Sequence, residues 1–314
     1  MDQKRIIDEF KELVSIEVHS RDERAIADVL KEKLTALGLT VTEDKAGEVL
    51  GGNTGNLYAQ LPGSADGEPV LFSAHMDRVG NHGHIVPLVK EEEGKIVSDG
   101  TSILAGDDIG GVAAILAMLR EVKEKQIPHG LIEVAFSVCE ETGVEGSRQY
   151  DFSKFRSKSA FVYDASGKAG TIVLAAPSKG RVTIRVHGVT AHAGNEPEKG
   201  LNALKVAADL IMQLPDGRLS PVSTANFSII EAGSATNVVC DLVTITGEQR
   251  SRDAKEYQQI SADIQAAADR IAEKYHTKIE VELHTLSHAF KLEETSRPCV
   301  LAKEAAEAAC AVPF

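Results

Sequence analysis

The sequence predicts an α/β fold, a sheet with helices on its faces, interrupted by a self-contained α+β insert. Three observations carry that expectation. Up to about residue 165, short apolar runs alternate with amphipathic helical stretches. After Pro177 the rhythm changes to strands of alternating apolar and polar residues. Those strands and two helices follow the order β-α-β-β-α-β, the ferredoxin-like split unit.

Residues 4–16 place Ile6, Ile7, Phe10, Leu13 and Val14 on one helical face. A second helix is expected to start near Ser20, with Glu23 three places on in capping-box spacing, and to end at Leu37-Gly38. Strands follow around 39–43, 55–61 and 69–75. Residues 82–100 read as a polar excursion with a Gly-rich end, in which Glu91-Glu92-Glu93 is a solvated loop. Residues 109–125 read as a helix opened by Gly110-Gly111 and packed through Val112, Ile115, Leu116 and Leu119. LIEVAFSV (131–138) and AFVYDA (160–165) read as buried strands. In the insert, RVTIRVHG (181–188), ANFSIIEAG, DLVTITGEQ and KIEVELHTL are strands, and 199–214 and 253–275 are helices. A last helix is expected near 297–310. The division is therefore 1–178 with 288–314, and an insert at 179–287 of a size that folds as a domain.

Composition narrows the function. A chain of 314 residues, 43% hydrophobic, is long enough for two cores. A net charge of −13 repels phosphate backbones, which points away from nucleic acid. No apolar run suits a signal peptide or a membrane span. Cys139, Cys240, Cys299 and Cys310 form no C-x-x-C pair, as expected of free thiols in the cytoplasm.

The chemistry-bearing residues stand where apolar elements stop. His75 and Asp77 follow one strand, Glu140 and Glu141 a second, and Asp164 ends a third. Asp107 and Asp108 precede a helix after the Gly-rich SDGTSILAG. In an open α/β sheet the carboxyl ends of the strands form the binding crevice. Crowded carboxylates repel and raise one another's pKa; a cation resolves the conflict. One His among several Asp and Glu suits zinc, manganese or cobalt. From an extended backbone Glu140 and Glu141 point different ways, so one can bind metal while the other faces a metal-bound water. Asp77 is close enough to His75 to accept the imidazole's second N–H. Cys139 reads as a buried thiol rather than a nucleophile.

The stretches SAHMDRV, DGTSILAGDDIGGVAAIL, FSVCEETGVEGS, AFVYDASG, TAHAGNEPEKGLNAL, GSATNVVCD and GEQRSRD span residues 73–253. In these the chain resembles the M20 metallopeptidases, most of all their peptidase T-like branch. The resemblance implies a zinc-peptidase-like catalytic domain, a mixed sheet with helices on both faces, and an inserted lid and dimerisation domain. It implies hydrolysis of peptide bonds in short peptides, of aminopeptidase or tripeptidase type, by a metal-bridging water with a glutamate general base. An N-acyl-amino-acid deacylase or carboxypeptidase of the same family is the alternative enzyme, and a non-catalytic metal-binding protein the alternative class. Two divalent metal ions are implied, Zn2+ first, with Co2+ or Mn2+ as substitutes, and a homodimer formed through the insert.

Residue by residue, the resemblance assigns His75 and Asp164 to one metal, Glu141 to the other and Asp107 to both. Asp77 would orient His75, and Glu140 would be the base. His192 would help stabilise the oxyanion, reaching in from a partner subunit. Asn237 and Arg250 would contact substrate, Arg250 through its fork. A cis Asp107–Asp108 peptide is also implied. Plainer readings stand beside these: Asp108 as a structural neighbour, Asn237 as a turn residue, Arg250 in a surface ion pair and His192 as a loop histidine. The family's closing strands and final His ligand are not found here, and His284 and His288 do not match that ligand's context. The catalytic domain is therefore expected to lack its C-terminal part, which leaves the second metal short of a protein ligand.

Overall fold

Asp2 starts helix α1 (Gln3–Val14), its carboxylate accepting the Lys4 and Arg5 amides, and the helix buries Phe10, Leu13 and Val14. The computed structural model describes residues 2–80, 83–168 and 170–310. They fall into two units, one of residues up to 172 together with those from 295, the other of 173–294.

In the first unit α2 (Arg24–Ala36) begins later than expected, and Glu23 at its N-cap makes no side-chain capping bond. Then come β1 (Thr40–Glu43), α3 (Ala46–Leu50), β2 (Leu57–Leu61), β3 (Val70–His75), β4 (Pro87–Lys90), β5 (Lys95–Ser98), α4 (Gly106–Glu124), β6 (Ile132–Ser137) and β7 (Ser159–Val162). The main sheet runs β1-β2-β6-β3-β7. β2 is antiparallel to β1 and β6, whereas β3 is parallel to β6 and β7, so the sheet is mixed. α4 packs on β3, α1 on α4, and α2 on β1 and β2. They share one apolar core with the sheet, including Leu30, Leu57, Val112, Leu116, Val134 and Phe136.

β6 is buried along its whole length, and that includes Glu133. Its carboxylate accepts from the Tyr58 and Ser157 hydroxyls, the Gln60 side-chain amide and the Arg156 and Ser157 amides, so the buried group is hydrogen-bonded. The polar excursion contains the β4–β5 hairpin, whose four-residue strands are too short to show alternation. Glu91–Glu93 is its exposed turn. His82, where the excursion was expected to begin, lies outside the described residues, as do the final residues 311–314.

The second unit holds β8 (Ala175–Ala176), β9 (Ser178–His187), α5 (Ala203–Ile211), β10 (Gly217–Ser220), β11 (Ser223–Ala232), β12 (Leu242–Ser251), α6 (Ala254–Tyr275), β13 (Ile279–Ser287) and β14 (Phe290–Lys291). Its antiparallel sheet runs β10-β11-β12-β9-β13. Without β10 this is the split β-α-β-β-α-β arrangement; β10 is an added hairpin strand at the edge. The inward residues Val182, Ile184, Val243 and Ile245 meet Val206, Leu210, Ile264 and Ile271 of the two helices. The chain returns to the first unit as α7 (Arg297–Cys310), which touches β7. Among the described residues no helix is long and apolar enough to cross a membrane.

One ion-pair cluster ties α2 to the sheet edge. The half-buried Glu43 accepts from Arg24, Lys31, the Thr54 hydroxyl and the Gly55 amide. Burial works against its charge, but Arg24, Gly55 and Lys31 outweigh it and hold the carboxyl below its ordinary 4.5. Glu43→Ala should cost about 1–3 kcal/mol in urea unfolding at neutral pH. Because the folded-state pKa is the lower one, this contribution is complete above the unfolded value. It is lost as pH falls through the folded one. The stability gap between variant and wild type should therefore narrow in acid; a gap constant from pH 7 to pH 3 would refute the assignment.

Candidate metal centre

The three parallel strands end together. In register, His75 faces Ser137 of β6, and Ser73 faces Val162 of β7. The residues that follow therefore emerge at one edge of the sheet: His75 and Asp77 after β3, Glu140 and Glu141 after β6, Asp164 after β7. Asp107 and Asp108 open α4, and the peptide between them is cis. Gly111 lets the start of α4 approach β7's exit closely. A Cβ there would lie 2.4 Å from Asp108 Oδ1 and 2.6 Å from the Tyr163 carbonyl.

His75 is buried at the centre of the cluster, 2% exposed. Its Nε2 lies 3.0 Å from Asp107 Oδ1 and 4.0 Å from both Glu140 Oε2 and Asp164 Oδ1. Its Nδ1 lies 2.9 Å from the Asp77 carbonyl and 3.4 Å from Asp77 Oδ1. Asp77 therefore orients the ring through its backbone oxygen as well as its carboxylate. That carboxylate, fully buried, also accepts the Glu140 amide at 2.9 Å, the Glu141 amide at 3.1 Å and the Ser20 hydroxyl at 2.6 Å. Asp108 accepts the His75 backbone N–H at 3.1 Å, which is a structural role.

The donor atoms of His75, Asp107 and Glu141 lie within 4.8 Å of one another, as do those of His75, Glu140 and Asp164. Burial works against charge on His75, yet Asp77, Asp108 and Glu140 push its pKa up to about 10. Burial and neighbouring negative charge raise the carboxyls of Glu140, Glu141 and Asp164, and that of Asp108 to about 8. One imidazole among acids that repel one another is a hard, oxygen-rich donor set for a divalent cation, which would remove the repulsion. Cys139 is buried, and burial with the nearby Glu23 pushes its thiol up to about 12, so it supplies no thiolate.

Comparison with known proteins agrees with this chemistry. Residues 177–276 match the M20 peptidase dimerisation domain, and residues 56–195 match peptidase family M28. YqjE of Bacillus subtilis, an uncharacterized protein, is 36% identical over 306 residues, 98% of this chain and 82% of its own. The aminopeptidase PepT from Bacillus cereus superposes with a TM-score of 0.90 at 38% identity, over all of this chain and 84% of that one. A Staphylococcus aureus tripeptidase does so with a TM-score of 0.93 at 32% identity, over 99% and 83%.

The chain belongs to the M20 metallopeptidase family, in its peptidase T-like branch.

The other family-matched residues lie in the second unit. The loops carrying His192 and Asn237 pair there: Ala193 N–H donates to the Asn237 carbonyl at 3.0 Å, and His192 bridges Val238. His192 Nδ1 accepts from the Gly194 and Asn195 amides at 3.2 and 3.1 Å. Arg250 is not with them. It faces Lys179, whereas the loops continue from the opposite end of the same strand pair, where Leu242 faces His187. Eight strand residues separate those ends, about 27 Å. Arg250 Nε and Nη2 are held by Glu248 at 2.8 and 3.0 Å.

The residues that sequence reasoning missed are Ser20 and Glu23. Their S-x-x-E spacing reads as a capping box, but Ser20 donates to Asp77 and Glu23 accepts the Cys139 amide at 3.0 Å. Nothing in the local pattern distinguishes the two uses.

Gly111→Ala tests the close approach that shapes the cluster. Overpacking of this kind costs about 1–3 kcal/mol. The melting temperature should fall, and Mn2+ affinity by calorimetric titration should fall with it. Unchanged affinity would mean that the cluster does not depend on the α4–β7 approach.

Proposed function

We propose that the chain cleaves residues from the amino end of short peptides, as a cytoplasmic homodimeric aminopeptidase or tripeptidase. The observation that carries this is the convergence of His75, Asp107, Glu140, Glu141 and Asp164 in a chain 38% identical to an aminopeptidase PepT. His75 and Asp164 would hold one cation and Glu141 another, with Asp107 shared between them. Zn2+ fits these donors, and Co2+ or Mn2+ can replace it. Cations bound there would polarise the scissile carbonyl and ease the ionisation of water.

Glu140 is the general base: it takes a proton from the attacking water and returns it to the departing amine nitrogen. Burial, with the charges of Asp164 and Glu141, raises its proton affinity, which suits that task. Asp77 keeps the His75 ring and the Glu140–Glu141 backbone in place.

His192 is the oxyanion donor. Because Nδ1 accepts two amides, the neutral ring carries its proton on Nε2, where it can donate. A short peptide cannot span the separation between His192 and Arg250 in one chain. Two-fold pairing would resolve this: His192 and Asn237, which share one loop pair, would reach the peptide from the partner subunit, and Arg250 from the chain's own. A deacylase or carboxypeptidase would need Arg250 for a free carboxylate. In this chain Glu248 pairs with that fork, an exposed ion pair that a carboxylate could displace, so the amine-directed reading rests on the similarity to the aminopeptidase PepT.

Glu140→Gln should keep its cations by elemental analysis and lose about 10²–10⁴-fold in turnover of tripeptides. A parallel loss of cations would make Glu140 a ligand instead. Mixing His192→Ala chains with Glu140→Gln chains should recover activity in the heterodimer, since one of its sites has both groups intact. No recovery from a verified heterodimer would place His192 in its own subunit's site or outside the site.

A further inference from the structure

The turn that delivers Glu140 and Glu141 is held by two carboxylates, and only one of them belongs to the cluster around His75. Three successive amides leave β6's end. Those of Glu140 and Glu141 go to Asp77, and that of Cys139 goes to Glu23 Oε1 at 3.0 Å. Cys139 has φ +52°, a left-handed conformation that costs a residue with a side chain about 1–2 kcal/mol. The turn is closed from its other side by the Glu145 amide on the Cys139 carbonyl at 3.0 Å.

Glu23 is fully buried. Among the described residues Oε1 accepts only the Arg21 and Cys139 amides and a long contact from the Cys139 thiol. Oε2 is buried without a partner among the described residues, and no cation pairs with the group. An apolar residue of similar size would avoid that desolvation. What an apolar residue could not do is accept the Cys139 N–H. Ser20, three residues earlier in the same loop, donates to Asp77 at 2.6 Å. One loop thus holds the turn directly through Glu23, indirectly through Ser20 and Asp77, and from outside through Arg21, which donates to Glu145 at 3.4 Å.

We infer that Glu23 is a positioning residue that sets the left-handed Cys139 turn and so aims Glu140 and Glu141. This rests on the peptidase reading for its kinetic consequence, though not for its geometric one. Supporting partners of ligands are typically worth about 10–100-fold in metal affinity or activity.

The test compares Glu23→Ala, Glu23→Asp, Glu23→Gln and the double variant Glu23→Ala/Cys139→Gly in the full chain. Two readouts are used: kcat and KM on tripeptides, and the affinity and visible absorption spectrum of added Co2+. Glu23→Ala should lower kcat about 10–100-fold with KM little changed, weaken Co2+ binding and alter its spectrum. Glu23→Gln, which keeps an oxygen for the Cys139 amide, should retain both. Adding Cys139→Gly should recover part of the loss, because glycine adopts a positive φ freely. A merely structural Glu23 predicts the opposite, since removing a second buried side chain would destabilise further. If Glu23→Ala does not fold, Glu23→Asp, whose carboxylate is one carbon shorter, takes its place. Folded variants with wild-type kcat and an unchanged Co2+ spectrum, or a double variant no better than the single, would overturn the inference. If the wild-type chain cleaves no peptide, the functional reading fails, and the Co2+ readouts alone still decide the role of Glu23.

Discussion

Mutual repulsion among the carboxylates around His75 is the constraint on which the site depends. Asp77, Asp107, Asp108, Glu140, Glu141 and Asp164 repel one another and would move apart if nothing held them. Backbone geometry holds them instead. Three parallel strands end within two residues of one another, so their exit residues emerge at the same edge of the sheet. The start of α4 then brings Asp107 and Asp108 in from the side. Where the acids need partners, backbone amides supply them: two for Asp77 and one for Asp108. Such donors stabilise a carboxylate without adding a cation that would compete with a metal.

The strand exit of β3 is anchored just as firmly. Arg78, next to Asp77, is buried, and its guanidinium donates to the carbonyls of Val14, Ile16 and Val18. Those carbonyls lie at the end of α1 and in the loop leading to Ser20. One arginine thereby ties α1, the loop before α2 and the exit of β3 together. The loop that carries Ser20 and Glu23 is fixed relative to the turn it grips. Side-chain-to-backbone bonds link helix α1 to the Glu140–Glu141 turn, and the Arg21–Glu145 ion pair joins the same loop to it.

Much of this was legible in the sequence, because apolar runs that stop at polar residues report strand ends directly. The mixed sheet, the split β-α-β-β-α-β unit and the residues converging on His75 all follow from that signal and the family motifs. The elements that escaped are short: α3, the β4–β5 hairpin and β10 each have four or five residues, less than the periods needed to declare themselves. The separation of Arg250 from His192 was also invisible. Both match motifs, but only the register of β9 with β12 shows that they occupy opposite ends of a strand pair.

The misread S-x-x-E pattern has a more general cause. A capping box at α2 and a grip on the Cys139 turn compete for the same two side chains. The amides at the start of α2 lie near the surface, where water or a neighbour can serve them; that of Arg24 goes to Asn53 Oδ1 at 3.0 Å. The Cys139 amide is buried and has no such recourse. An unsatisfied buried N–H costs about 1–3 kcal/mol, whereas an N-terminal cap is worth about 1. The tertiary bond therefore wins wherever both are geometrically open. A capping motif that precedes a helix yet lies within reach of a buried turn is ambiguous in sequence for this reason, and here the energy falls on the side of the Cys139 turn.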